Sequence, residues 1–235
     1  MSLIKTEAIV LRSANYRDKS KIVTLYTKSH GKLKAIAKGV RDSKTRWGGV
    51  LQSMGYLNIL LYYKENRTLH LLSGAEYIKT YSGIYENFDK MNVGFRIIEL
   101  VNKTTADGHE ISGVFELLTQ SLNMLNDATK NFVNVLFNFE FRLAKMLGFA
   151  IDVENRGSGV PSGFAGFEEV KMHTDDVRVL RTIASGNSDD IMTLNIVKSS
   201  EIAVDRFLES HFKIHFDNLN FSNTKKVIFS KEIRL

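Results

Sequence analysis

The hydrophobic period of this chain changes once, and no other feature constrains its fold as tightly. Up to about residue 80, apolar side chains recur with period two in short runs separated by turns. From about Asn87 they recur with period 3.6. Strands show alternate residues to opposite faces, whereas helices gather i, i+3 and i+4 on one. The chain therefore predicts an α+β protein with its strands first and its helices after. TEAIVLR (6–12) alternates, with Glu7, Ile9 and Leu11 on one face and Ala8, Val10 and Arg12 on the other. SKIVTLYTK (20–28) leads through a tight Ser29-His30-Gly31 turn into KLKAIAKG (32–39). GYLNILLYYK (55–64) and TLHLLSGAEYI (68–78) read as a second hairpin around Glu65-Asn66-Arg67. Five short strands predict a small all-β barrel or sandwich over residues 1–80.

The remainder, 81–235, reads as a helical domain. VGFRIIELVNK (93–103), ISGVFELLTQSLNMLN (111–126) and KNFVNVLFNFEFRLAKMLGF (130–149) carry helical periods. The third is apolar on two sides, as a central helix is, and Gly148 suits its C-terminal cap. Residues 152–170 are Gly-rich, hold the only proline and predict an irregular lobe. Two more helices are expected near 175–185 and 198–214. The closing KKVIFSKEIRL reads equally as strand or tail.

Charge divides the chain in the same place. Residues 1–80 hold 15 Lys and Arg against 5 Asp and Glu, while 81–235 hold 17 against 21. The net charge of +6 therefore comes wholly from the strand-rich third, which points to a polyanionic partner. No apolar run approaches the roughly 20 residues of a membrane span, and the opening MSLIKTEAIVLR is too broken by charge for a signal peptide. Cysteine is absent, which excludes disulfides, thiolate metal sites and a cysteine nucleophile. A cytoplasmic, nucleoid-associated protein is the expectation.

Within 32–38, Lys32, Lys34, Ile36 and Lys38 share one strand face, with Leu33, Ala35 and Ala37 on the other. The neighbouring strand offers no acid to relieve those lysines. Arg17 and Lys19 precede the paired strand, and Arg41, Lys44 and Arg46 surround Asp42 in the following connection, just before Trp47. Cations beside an aromatic and glycines suit a single-stranded nucleic acid, whose phosphates they neutralise while bases stack. The competing explanation is a solvated edge strand guarded by lysines. The eight cations named are the candidate DNA-binding residues. Trp47 fits a core position as well as a stacking platform.

Nothing in the chain argues for catalysis, metal or cofactor. His211 and His215 share a helical face but lack a third ligand. Asp175-Asp176 and Asp189-Asp190 stand where helices start and suit capping. SGVPSGFAG (158–166) lacks the phosphate-loop lysine, and neither a nucleophile elbow nor an H-E-x-x-H helix occurs.

The order of elements resembles the RecO family of bacterial recombination mediators. The likeness rests on Leu11-Arg12, the polar Asn15–Ser20 segment, the strand into Thr27–Gly31, and Ala37-Lys38-Gly39-Val40-Arg41. FEFRLAKMLGF (139–149) is similar to a helical segment of that family. The resemblance implies an N-terminal five-stranded OB-fold barrel followed by an α-helical domain. It implies binding of single- and double-stranded DNA and annealing of complementary strands. It further implies action with RecR and single-stranded-DNA-binding protein to load RecA, and it places Lys38 and Arg41 on DNA. Many members carry a four-cysteine zinc module after the 139–149 segment, which a chain without cysteine cannot build. Arg142 and Lys145 are the candidates for meeting the acidic tail of single-stranded-DNA-binding protein. A basic barrel that binds RNA, or docks on an acidic protein without any role in recombination, is the alternative.

Overall fold

The computed structural model describes residues 2–41, 47, 49–151, 173–184, 187–216 and 219. The irregular lobe expected at 152–170 and the closing KKVIFSKEIRL lie outside these residues. Five strands, β1 (Ser2–Tyr16), β2 (Ser20–Thr27), β3 (Gly31–Ala37), β4 (Tyr56–Tyr63) and β5 (His70–Lys79), close into a barrel ordered β1-β2-β3-β5-β4. All neighbours are antiparallel except β3 and β5. Helices follow: α1 (Ser82–Tyr85), α2 (Phe88–Thr104), α3 (Val114–Asp127), α4 (Phe132–Met146), α5 (Thr174–Ala184), α6 (Ser188–Thr193) and α7 (Lys198–His215). The five strands and five long helices expected from periodicity are all present. The one-turn α1 and the six-residue α6 are too short to show a period. Among the described residues no helix is long and apolar enough to cross a membrane.

The barrel closes because its strands alternate. Ala8, Val10, Val23, Leu25, Leu33, Ala35, Ala37, Leu57, Ile59 and Leu61 fill the interior, and Trp47 packs against them, a core role. The β1 alternation breaks at Leu11, where the register against β2 slips between Val10 and Arg12. Val10 therefore points inward opposite Leu25, while Arg12 pairs with outward Thr24, so Arg12 does not share a face with Ala8 and Val10. A bulge is the cause.

The chain forms two compact units. The first joins Met1–Glu86 with Ile98–Leu122, and the second joins Asn87–Ile97 with Asn123–Leu235. A later segment, Ile98–Leu122, thus joins the barrel in the first unit, and the reason is a covered outer face. Ile9 and Tyr26, opposite one another on β1 and β2, are fully buried although they point away from the barrel interior. Ile111 N donates to Tyr26 Oη at 3.4 Å, and the Phe115 ring meets Tyr56 edge-on at 6.0 Å. Gly31 lets this segment approach. A Cβ there would lie 2.0 Å from the carbonyl oxygen of His109.

In the second unit α4 is the central element, with eleven buried residues. Val133, Phe137 and Phe141 pack with Leu180, Ile183, Val204, Phe207 and Leu208 from α5 and α7. Asn134 and Asn138 interrupt its apolar surface and Asn131 stands just before it, and all three work as caps for neighbouring helices. Asn131 Nδ2 donates to Met192 O, Asn134 Nδ2 to Ile191 O and Leu194 O, and Asn138 Nδ2 to Ile183 O, all between 2.8 and 2.9 Å. These carbonyls lie in the last turn of α5 and α6 or just beyond it, where a helix leaves its carbonyls to be satisfied from outside. Gly148 follows α4 at φ 90°, as the sequence led one to expect. His211 bonds the carbonyl of Phe149 at 2.8 Å, and the His215 ring stacks on that phenylalanine at 4.2 Å.

Arg96 and Glu140 are 2% and 1% exposed, with Nε and Oε1 3.6 Å apart. Burial pushes the Glu140 carboxyl up to about 8; Arg96 opposes that rise, and Asp205 and Glu209 on α7 add to it.

Two measurements check this architecture. Gly31 and Gly39 both have positive φ, 61° and 69°, but nothing lies within 4 Å of a Cβ built on Gly39. Gly39→Ala should cost about the 1–2 kcal/mol of a left-handed alanine, and Gly31→Ala distinctly more by denaturant titration. Equal losses would mean the 109–110 backbone does not rest on Gly31. For Glu140, a folded value above the ordinary 4.5 means that the native state holds a proton the unfolded chain has lost. Its stability contribution is full below 4.5 and is lost as pH rises toward 8. Wild-type stability should therefore decline across that window relative to Glu140→Gln, whose amide mimics the protonated acid.

Candidate nucleic-acid interface

The outward face of β3 carries the first group of candidate cations. Leu33, Ala35 and Ala37 are buried in the barrel, whereas Lys34 and Lys38 are exposed. Pairing across β1, β2 and β3 sets these side chains in rows. Arg12, Thr24 and Lys34 form one row, and Ala14, Ile22 and Ile36, continued by Leu71 of β5, form the next. Rows two residues apart along a strand lie about 7 Å apart. Arg12 and Lys34 are exposed, and Ile22, Ile36 and Leu71 are half-buried. An aliphatic strip thus runs between cations.

A second group gathers at the end of β3. The Arg41 backbone N donates to Lys19 O at 3.2 Å, and its Nη1 donates to Arg17 O at 3.1 Å. The β1–β2 turn is so brought against the chain leaving β3. Arg17 adopts φ 51°, which tightens that turn, and its guanidinium carbon stands 5.3 Å from the Tyr16 ring centroid. Arg17, Lys19, Lys38 and Arg41 are all exposed. Arg12, in the row of Thr24 and Lys34, joins the outward surface without having been singled out from the sequence, whereas Lys21 pairs with inward Ala37 and does not. The bulge at Leu11 turns Arg12 outward, and bulges leave no period to read.

Lys32 does not belong to this surface. It is 8% exposed, and its Nζ donates to Asn102 O at 2.7 Å and to Thr105 O, with Asp107 Oδ1 3.4 Å away. Those carbonyls close α2, so the ammonium is a C-terminal cap, favoured by the helix dipole. Strand alternation sends Lys32 outward correctly, but a later segment covers it. Asp107 also reaches Lys34 Nζ at 2.8 Å. The neighbouring strand β2 indeed carries no acid, and the carboxylate that meets these lysines comes instead from Asp107, some 70 residues further along the chain. Burial alone would raise the Asp107 carboxyl; the Lys34 hydrogen bond and both ammonium charges outweigh it and hold the group below its usual range. Lys44 and Arg46 lie outside the described residues. On α4 of the second unit, Arg142 is half-buried and Lys145 exposed.

Comparisons with known proteins agree with this architecture. Residues 1–81 match the family profile described as Recombination protein O N terminal, and residues 85–163 match Recombination protein O C terminal. The DNA repair protein RecO of Chloroherpeton thalassium is 28% identical over 250 aligned positions, covering 95% of this chain and 96% of the relative. That of Salinibacter ruber is 28% identical, covering 97% and 94%. That of Chlorobium luteolum is 35% identical over 148 positions, 63% of this chain and 56% of the relative. Both domain profiles occur in order, and the likeness runs nearly end to end in two relatives. With an OB-fold barrel leading into helices, this chain belongs to the RecO family.

Proposed function

We propose that this protein, of a family of DNA repair and recombination proteins, binds single-stranded DNA on the outer β1–β2–β3 face of its barrel. The observation that carries this reading is the rejoining of Arg17, Lys19 and Arg41 by two backbone-anchored contacts, beside exposed Lys34 and Lys38. Cations placed along a strip of half-buried aliphatic residues neutralise phosphates while offering apolar surface to bases. Backbone contact of this kind is indifferent to sequence, which suits a protein that must accept any strand. Two strands held with their phosphate repulsion reduced can pair, so annealing follows without bond-making chemistry. On this reading the protein works by binding, not catalysis. Double-stranded DNA shares the same phosphate chemistry. The acidic helical part is left for protein partners, since like charge opposes a second phosphate surface. RecR and the tail of single-stranded-DNA-binding protein are the partners proposed, with Arg142 and Lys145 meeting the tail's acids, and RecA is loaded in consequence.

Salt-titrated binding of the full chain to single-stranded DNA, RNA and an acidic peptide tests this. Log affinity for the DNA strand should fall with log salt by about 0.7 per phosphate neutralised. Lys38→Ala and Arg41→Ala should each flatten that slope by less than one unit. Lys32→Met should lower stability by roughly 2–4 kcal/mol, because it orphans buried acceptors, yet leave the slope alone. Unchanged slopes in both surface variants would falsify the face, and tighter binding of RNA or peptide would favour the other basic-barrel readings.

A further inference from the structure

At another part of the barrel unit, a cleft of about 360 Å³ opens between the 52–55 connection, the end of β5 and α1. Tyr77, Tyr81 and Tyr85 line it, together with Gln52, Met54 and Glu86. Tyr81 is 1% exposed and lies at the base, whereas Tyr77 and Tyr85 are 40% and 41% exposed. Their ring faces are therefore open to a ligand.

The exposed rings are held rather than loose. Tyr77 Oη donates to Gly49 O at 3.4 Å, and Tyr85 Oη donates to Ser53 O. Both hydroxyls thus fasten to the same connection. That connection is itself fixed to β1, where Met54 N donates to Val10 O at 2.7 Å and Val10 N donates to Gly55 O at 3.0 Å. Met54 adopts φ 64°, a conformation uncommon for its type, so the wall is shaped against local preference. Held rings lose little entropy when something stacks on them.

The chemistry of the lining selects the ligand. Aromatic faces favour a flat π system, and bases of single strands stack on tyrosine without regard to sequence. Gln52 offers one amide donor set and one acceptor, and the Glu86 carboxylate only accepts. Together they suit the polar edge of a heterocycle carrying an amino group. The connection that forms this wall also begins at Arg41, so the cleft is continuous in chain with the cationic face. Lys79 stands 5.5 Å from the centroid of the Tyr81 ring and adds positive charge there.

We propose that this cleft takes one unstacked nucleobase of a bound single strand, with Tyr77 and Tyr85 supplying ring surface and Gln52 and Glu86 meeting its polar edge. The proposal rests on the reading of the barrel as a single-strand surface, and adds a base contact to its phosphate contacts. The exocyclic amino groups of adenine, cytosine and guanine suit the Glu86 acceptor, whereas thymine offers it only a ring N–H.

Binding of the full chain to an adenine strand, a thymine strand and an abasic strand of equal length separates the two ideas. The wild type should hold the adenine strand about tenfold tighter than the abasic one, with thymine between them and the salt slope common to all. Tyr77→Leu combined with Tyr85→Leu should abolish that difference, while the paired Tyr→Phe changes should keep most of it. A 2-aminopurine placed within the strand should change its emission on binding the wild type and not the leucine variant. Equal affinity of the wild type for adenine and abasic strands, with a steep salt slope, would overturn the cleft and leave the cationic face standing. Binding to none of the strands would remove both. Should the leucine variants fail to fold, the wild-type comparison and the phenylalanine variants decide the matter alone. A cleft that instead captures an apolar peptide side chain would show no dependence on the bases at all.

Discussion

One buried ammonium organises the first unit. Lys32 leaves β3 on its outward side, yet it caps the last carbonyls of α2 and meets Asp107. Burying a lysine is costly unless its charge and its donors are satisfied, so the strand and the helix end must stay in register with one another. Other contacts repeat the constraint. Gly108 N donates to Lys32 O at 2.7 Å, and Gly31 leaves room for the His109 carbonyl. With the segment seated there, Ile9 and Tyr26 lose all contact with water, and a part of the barrel that strand pairing alone would leave open becomes a second apolar layer.

That seating also sorts the charges. Asp107 draws Lys32 and Lys34 toward the covered part of the barrel, and Glu7 does the same for Lys28 at 3.0 Å. The Tyr56 hydroxyl and Lys28 hold Glu7 below its usual range against the opposing effect of burial. The cations at the far end of β3 lie away from these acids. Arg17, Lys19 and Arg41 face water there, and backbone contacts draw them together. A basic composition becomes a basic surface only after some of its members have been claimed by the interior.

The second unit solves a different problem. A central helix with eleven buried residues leaves little polar surface to satisfy the ends of the helices packed on it. Asn134 and Asn138 supply those donors from within the core and half-buried Asn131 from the start of α4, and each meets a carbonyl at the end of α5 or α6 or just beyond it. Arg96 and Glu140 place an ionisable pair in the same interior, with two further acids nearby on α7. Burial and the neighbouring carboxylates raise the Glu140 carboxyl against the opposing pull of the Arg96 guanidinium.

Periodicity alone determined the elements, because a period of two or 3.6 is a local property and survives any tertiary arrangement. The five strands, the five long helices, the glycine after α4 and the sign of the barrel's charge were all legible in that way. Even the inward set Leu33, Ala35 and Ala37 followed from alternation. The fate of individual side chains did not. Lys32 and Lys34 occupy equivalent faces of one strand, and only a segment some 70 residues later makes one a buried cap and leaves the other exposed. Arg12 changed faces because of a single extra residue at Leu11, which no period records. The asparagines of α4 read as breaks in an apolar pattern, and became caps only when α5 and α6 ended against them. Tyr77 and Tyr85 belong to a strand and a one-turn helix with nothing in common along the chain until the 49–55 connection holds both. Local pattern sets what each segment becomes. Burial and hydrogen bonding between distant segments decide which charges and which rings remain available to a ligand.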